Sequence, residues 1–300
     1  MLLGEGIQGF SFLIPWIFGF VTFTGGLKMN VRSFAKTVAK PKPILGVLFI
    51  LRVLMPLWAL LYGHLVFPTD PYVRTGLLLF GLIPVGINSV VWTTMVNGSV
   101  EQSLSVVIID TLLSPIMLPV SILLLTGTQV EMDTLGMVVS LLTMIVIPSV
   151  LGMCVNQATK GAFPKKWNAK LAPWAKIAIM VTLIINGSNV GEHFTTIDGR
   201  LLFIMSSLAV LSITGYLIAW QVAKWLKLEV AELKAFVFSG GMRNTNTGIV
   251  IAVAHFPPAV ALPIATGVFF QQLVCATFAK VLMHKFSKTD HTQPKLAKAS

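Results

Sequence analysis

Apolar residues along the chain gather into nine long stretches, separated by short polar or charged connections. They run over about 7–27, 44–66, 72–97, 99–126, 134–157, 171–191, 199–226, 230–255 and 258–284. The hydrocarbon core of a bilayer is about 30 Å thick and an α-helix rises about 1.5 Å per residue, so about 20 apolar residues suffice to cross it. Each stretch is therefore predicted to be a transmembrane helix, and the chain an all-α integral membrane protein with nine spans.

Two of the stretches are interrupted halfway. The third reads "GLLLFGLIPVGINSVVWTTMVNG", with Pro84, Gly86, Asn88 and Ser89 in its middle. The eighth holds "FVFSGGMRNTNTGIVIA", residues 236–252, where Ser239, Gly240, Gly241, Arg243, Asn244, Thr245, Asn246 and Thr247 stand in an apolar surround. Each broken stretch is followed by one with repeated prolines, Pro115 and Pro119 in the fourth, Pro257, Pro258 and Pro263 at the ninth. The first four and the last four stretches thus read as two copies of one unit, about 7–126 and 171–284. A single span between them turns the second copy over. In hydrocarbon an unpaired backbone N–H or C=O costs several kcal/mol, so a break at mid-membrane is tolerated only where it is buried in protein or lines a watery cavity. An inverted repeat with broken helices at matching places points to the binding site of a transporter. The competing reading, a glycine-rich helix-packing face, has no use for Arg243.

Composition and charge agree. Of 300 residues 55% are hydrophobic and 11% charged, against about 25% charged in soluble domains. The net charge of +11 is a topology signal and not a nucleic-acid footprint. Lys28, Arg32, Lys36, Lys40 and Lys42 fall in the first connection, and Lys160, Lys165, Lys166 and Lys170 in the fifth. Lys285, Lys288, Lys295 and Lys298 close the chain. The intervening connections carry Asp70, then Glu131 and Asp133, then Glu192 and Asp198. Basic short loops stay cytoplasmic, which predicts a plasma-membrane protein with its N-terminus outside and its C-terminus inside. Trp167, Trp174, Trp220 and Trp225 then fall at the inner interface. Residues 1–285 are read as one transporter domain with a retained first span, and 286–300 as a disordered cytoplasmic tail. Cys154 and Cys275 lie in apolar stretches without metal-ligand spacing, and no cofactor is expected. No serine-histidine pair, paired aspartates or HExxH within the spans supports an enzyme.

"GGMRNTNTGIVIAVAHFPPAVALP" and "PVGINSVVWTTMVNGSVEQSLSV…LLSPIMLP" resemble the two crossovers of the bile acid:sodium symporter family, and the likeness extends over about residues 8–284. The resemblance implies a core domain holding two crossed, broken helices and a panel domain against which it rocks. The substrate site lies between them, and the cargo is a bile-acid-like or other carboxylate. On that resemblance Pro84, Gly86, Asn88, Ser89, Ser239, Gly240, Gly241, Arg243, Asn244 and Thr245 are the substrate-site candidates. The departures fall on the family's sodium sites. Sodium-coupled members carry a carboxylate where Ser239 stands and a glutamine where Arg243 stands. Val90, Val107 and Leu51 occupy other places that resemblance assigns to polar ligands, while Ser89, Ser103 and Asn244 match. Sodium, a hard cation, wants several oxygen ligands. A hydroxyl in place of the carboxylate and a guanidinium nearby remove attraction and add repulsion. The family's sodium sites are therefore expected to be lost, with no metal bound and Arg243 standing in as a permanent cation.

A guanidinium at a helix centre costs about 2.5–3.5 kcal/mol on insertion scales, so Arg243 needs a partner. Asp110 in the fourth stretch shares a helical face with Ser103 and Val107, at spacings i, i+4 and i+7. Three readings stand open: a buried Asp110–Arg243 ion pair, Asp110 as a proton carrier, or Arg243 held for the carboxylate of an anionic substrate. Asp110, Arg243 and Ser103 are the coupling candidates, with a proton as a candidate co-ion. Arg52 pairs with a carboxylate or lines the inner cavity. Asn186, Ser188 and Asn189 cap their helix or form an outer vestibule. The reading is a secondary active transporter of a small organic anion, working by alternating access and independent of sodium. An uncoupled facilitator or channel and a non-transporting membrane receptor are its rivals.

Overall fold

The computed structural model describes residues 10–28, 41–126, 133–190 and 198–290, and among them every regular element is helical. Most of the basic connection 29–40, Glu131, Glu192, residues 291–300, and the side chains of Asn186, Ser188 and Asn189 lie outside the described part. After a short turn, α1 covers Ile14–Gly26. Then come α2, Pro41–Val66, α3, Pro71–Leu82, α4, Asn88–Met95, and α5, Val100–Thr126. The second half holds α6, Thr134–Ala158, α7, Ala162–Val190, α8, Gly199–Trp225, α9, Val230–Gly241, α10, Thr245–His255, and α11, Pro258–Asp290. The last runs past residue 285, where the tail is expected to begin.

Five of these helices, α2, α5, α6, α8 and α11, are long and apolar enough to cross a membrane, and α1 is a shorter apolar helix. Trp16, Leu65, Leu124 and Leu135 are 71 to 78% exposed, as residues facing lipid are. The connections cap the helices in the ordinary way. The carboxylates of Asp70, Asp133 and Asp198 accept from the backbone N–H of Val73, Gly136 and Leu201, so the acidic connections open α3, α6 and α8.

Proline placement explains the irregularities. Pro56 and Pro148 bring no N–H to the ladder, and in each case the preceding turn widens to π geometry, over Ile50–Leu54 and Leu142–Val146. The carbonyl that Pro148 leaves free, that of Met144, accepts at 2.8 Å from the Thr22 hydroxyl of α1. The α3–α4 break has the same origin. Ile83 precedes Pro84 and takes an extended conformation, because a residue before proline is pushed out of the α region. The α9–α10 break begins at Met242, also extended, and ends where the Asn244 side chain accepts from Thr247 N–H and restarts the helix.

The helices pack through small residues. α1 lies on α6 so closely that a Cβ on Gly152 would stand 2.8 Å from the Leu27 nitrogen. A Cβ on Gly241 would fall on the Tyr216 ring of α8. That ring lies between α9 and α11, edge-on to Phe238 and stacked on Phe278. Since the ring is fully buried it has nowhere to yield. Gly241→Ala should cost about 1–3 kcal/mol, the usual penalty of overpacking. Thermal unfolding of the purified protein in detergent measures it, and an unchanged midpoint would contradict this packing.

Candidate functional site

The two breaks touch. The backbone N–H of Asn244 donates to the carbonyl of Pro84 at 2.8 Å, so each interruption supplies a backbone group to the other.

An ion pair serves the first break. Asp110 of α5 is fully buried, and its Oδ2 accepts from the Val85 N–H at 2.7 Å. Its Oδ1 accepts from Arg52 Nε at 2.8 Å and Nη2 at 2.6 Å. Arg52 Nη1 donates to the Leu82 carbonyl at 3.0 Å, and Nη2 also reaches the Asp110 carbonyl and the Ser114 hydroxyl. The partner of Asp110 is thus Arg52, and of the three readings left open, the Asp110–Arg243 ion pair does not form. The reason is local: the break frees Val85 N–H and Leu82 C=O together, and a carboxylate and a guanidinium side by side satisfy both. The sequence signal was an arginine four residues before Pro56 in an apolar span, a cation that could not stand alone.

A glutamine serves the second break. Gln271 of α11 forms a closed pair with the backbone of Arg243: N–H to Oε1 at 2.9 Å, and Nε2–H to the carbonyl at 2.7 Å. The Arg243 guanidinium turns back on its own chain. Nη1 donates to the carbonyls of Gly240 and Met242, at 2.9 and 3.1 Å. The residue is 1% exposed. Its Nε and Nη2 are buried without a hydrogen-bond partner among the described residues.

Beside them three fully buried hydroxyls meet. Ser239 of α9 donates to Ser103 of α5 at 3.2 Å, and Ser103 shares a longer hydrogen bond, 3.4 Å, with Ser89 of α4. Serines from three helices are thereby spent on one another, and no group of three or more acidic, histidine or cysteine residues that could hold a metal occurs among the described residues.

A cavity of about 220 Å³ opens where the breaks face α1, α6 and α7. Five of the predicted residues line it, Gly86, Asn88, Arg243, Asn244 and Thr245. Pro84, Ser89, Ser239, Gly240 and Gly241 lie behind its wall, in the contact between the breaks, the serine cluster and the packing against α8. Asn246 of the second break also lines it, and residues not anticipated complete it: Gln271, Gln272, Thr111 and, across the gap, Thr22 and Ser149, with Phe18, Ile145 and Ile179 as apolar wall. Both α4 and α10 begin at this cavity, so the positive ends of two helix dipoles abut it. The Gln271-Gln272 pair was legible as two amides in an apolar span, but which of them faces inward was not.

Two broken helices meeting at a polar cavity, inside a bundle with an apolar exterior, define the class: a multi-pass membrane transporter. Residues 15–197 match the Sodium Bile acid symporter family, and the chain belongs to that family. It is 40% identical to "Uncharacterized protein YbaS" of Bacillus subtilis (strain 168), over 94% of this chain and 92% of that one. It is 29% identical to "Uncharacterized sodium-dependent transporter YocS" of the same organism, over 86% and 82%. It is 27% identical to "Probable sodium/metabolite cotransporter BASS1, chloroplastic" of Arabidopsis thaliana, over 82% and 60%. Two of these three relatives are described as transporters.

Removing one member of a buried ion pair leaves the other uncompensated, at a cost of about 3–5 kcal/mol. Arg52→Met and Asp110→Leu should each destabilise by that order. The double variant should lose less than the sum of the two. A double-mutant cycle on thermal unfolding measures the coupling, and strict additivity would show that the pair is not energetically linked.

Proposed function

We propose that the chain is a secondary transporter of a small organic anion, driven without sodium, in which Arg243 is a tethered cation in place of a bound one. The observation that carries this reading is the engagement of Arg243 Nη1 with the carbonyls of Gly240 and Met242 at the second break. Carbonyls freed by a broken helix are the groups that bind a coupling cation in transporters of this general design, and here a side chain of the same strand of backbone fills that role. Arginine does not deprotonate in proteins, so the charge is permanent and travels with the helices. The serine cluster supports the same conclusion, since the place expected to carry a carboxylate is Ser239, and its hydroxyl is spent on Ser103.

The anion would lie in the cavity between the breaks and α1, α6 and α7. The first turns of α4 and α10, with the amides of Asn88, Asn244, Asn246 and Gln272, offer it neutral donors and two positive helix ends. The buried guanidinium below adds a charge with little competing solvent. In this reading the nine predicted segments are spans, with α3 and α4 forming one and α9 and α10 another. The units α1–α5 and α7–α11 are inverted copies, and α1, α6 and α7 are the panel against which the core rocks. Asp110, held by Arg52 and Val85, keeps the first break in shape.

Uptake into proteoliposomes, tried with carboxylates from short hydroxy acids to bile acids, tests the proposal. Replacement of sodium by potassium or choline should leave the rate unchanged, and Arg243→Gln should abolish uptake in all three. The same acid should raise the unfolding temperature equally in sodium and potassium, since a ligand that binds the folded form stabilises it, by about 2.7 kcal/mol at a hundred times Kd. Strict dependence on sodium, or uptake by Arg243→Gln that matches the parent, would overturn it.

A further inference from the structure

Away from the cavity, the outer faces of α8 and α11 carry a second arrangement. Trp220 of α8 is flanked by two ammonium groups from different helices. Lys224 Nζ lies 5.3 Å from the ring centroid and Lys285 Nζ lies 5.0 Å from it. The indole is braced from behind by Phe278, edge to face, which in turn stacks on Tyr216. Both lysines are exposed, and neither enters an ion pair among the described residues. Two like charges are thus within about 10 Å of each other on a rigid aromatic platform. A cation–π contact attracts each of them to the ring but neutralises neither.

Each lysine ends a stripe of exposed residues, mostly apolar, in which Trp220 is half-buried. On α8 the stripe is Ile213, Leu217, Trp220, Lys224, at spacings of four, three and four, with Ile213 and Leu217 42 and 51% exposed. On α11 it is Leu273, Thr277, Val281, Lys285, at a constant spacing of four, with Leu273 and Val281 66 and 43% exposed. The Thr277 hydroxyl is spent within the helix, donating to the Leu273 carbonyl at 2.9 Å. Such spacings keep residues on one helical face. The stripes are about 16 and 18 Å long at about 1.5 Å per residue, close to the roughly 15 Å depth of one bilayer leaflet. The two helices pack side by side and point the same charged end to the same side.

We propose that this surface binds one anionic phospholipid, its phosphate between Lys224 and Lys285 and its acyl chains along the two stripes. The occupant is a lipid and not a soluble anion, because charge complementarity explains only the lysines, whereas the apolar stripes match the length of a leaflet. It is an anionic lipid because a choline headgroup would bring its own cation to a place that already holds two. The glycerol backbone then lies at the level of the indole, where amphipathic rings belong.

The test uses the purified full chain in detergent, with dioleoyl phosphatidylglycerol or dioleoyl phosphatidylcholine titrated in, and reads bound lipid by native mass spectrometry. The parent should retain phosphatidylglycerol in preference to phosphatidylcholine. Lys224→Gln with Lys285→Gln should weaken phosphatidylglycerol about 30-fold, the effect of two lysines near an anionic headgroup, and leave phosphatidylcholine unchanged. Lys165→Gln with Lys166→Gln removes the same charge elsewhere and should bind as the parent does. Equal loss in both double variants, or no loss in the first, would overturn the site. So would competition by inorganic phosphate at the affinity of the lipid, which would mean a phosphate site without use of the stripes.

Discussion

A peptide group inside a bilayer has no water to turn to, and two helices of this chain stop at mid-course. Each break releases N–H and C=O groups that must find partners within protein. The first is answered by Asp110 and Arg52, which take Val85 N–H and Leu82 C=O. The second is answered by Gln271 and by Arg243, which closes on the carbonyls behind it. The breaks then answer each other through Asn244 and Pro84. With these groups removed, the N–H and C=O groups freed at both breaks would lie buried without partners.

The two buried arginines divide the electrostatics. Arg52 is fully occupied: a carboxylate, two carbonyls and a hydroxyl use its donors, and with Asp110 it contributes no net charge. Among the described residues Arg243 has no such carboxylate in contact. It spends one nitrogen on carbonyls and keeps a charge at the second break. The pair is a brace, and the lone guanidinium is a charge held in reserve beside a cavity whose other polar groups are neutral amides and hydroxyls. That asymmetry separates holding the site in shape from giving it a sign.

The exterior follows different rules. Facing lipid, the helices need only be apolar, and specificity there comes from where the basic ends of neighbouring helices converge. Trp220, Lys224 and Lys285 form such a convergence. It draws on two helices that are remote in sequence, 61 residues separating the two lysines. These side chains are separate from those that line the cavity, so each set can be altered without touching the other.

Much of this was legible in one dimension. The apolar stretches set the helices, and Pro84 and the run from Ser239 to Asn244 marked both breaks; that Asp70, Asp133 and Asp198 cap helix starts came from the structure. Five of the substrate-site candidates that the resemblance marked in the breaks line the cavity. What the chain order did not decide was pairing. Asp110 shares a helical face with Ser103, yet the cation that reaches it is Arg52, because the π turn before Pro56 and the freed groups of Leu82 and Val85 bring those atoms together. Gln271 looked like any amide in a span until α11 was laid against the second break. Local rules of propensity and periodicity act over a few residues and are written in the sequence; which buried charge meets which depends on how helices cross, and only the packed bundle settles that.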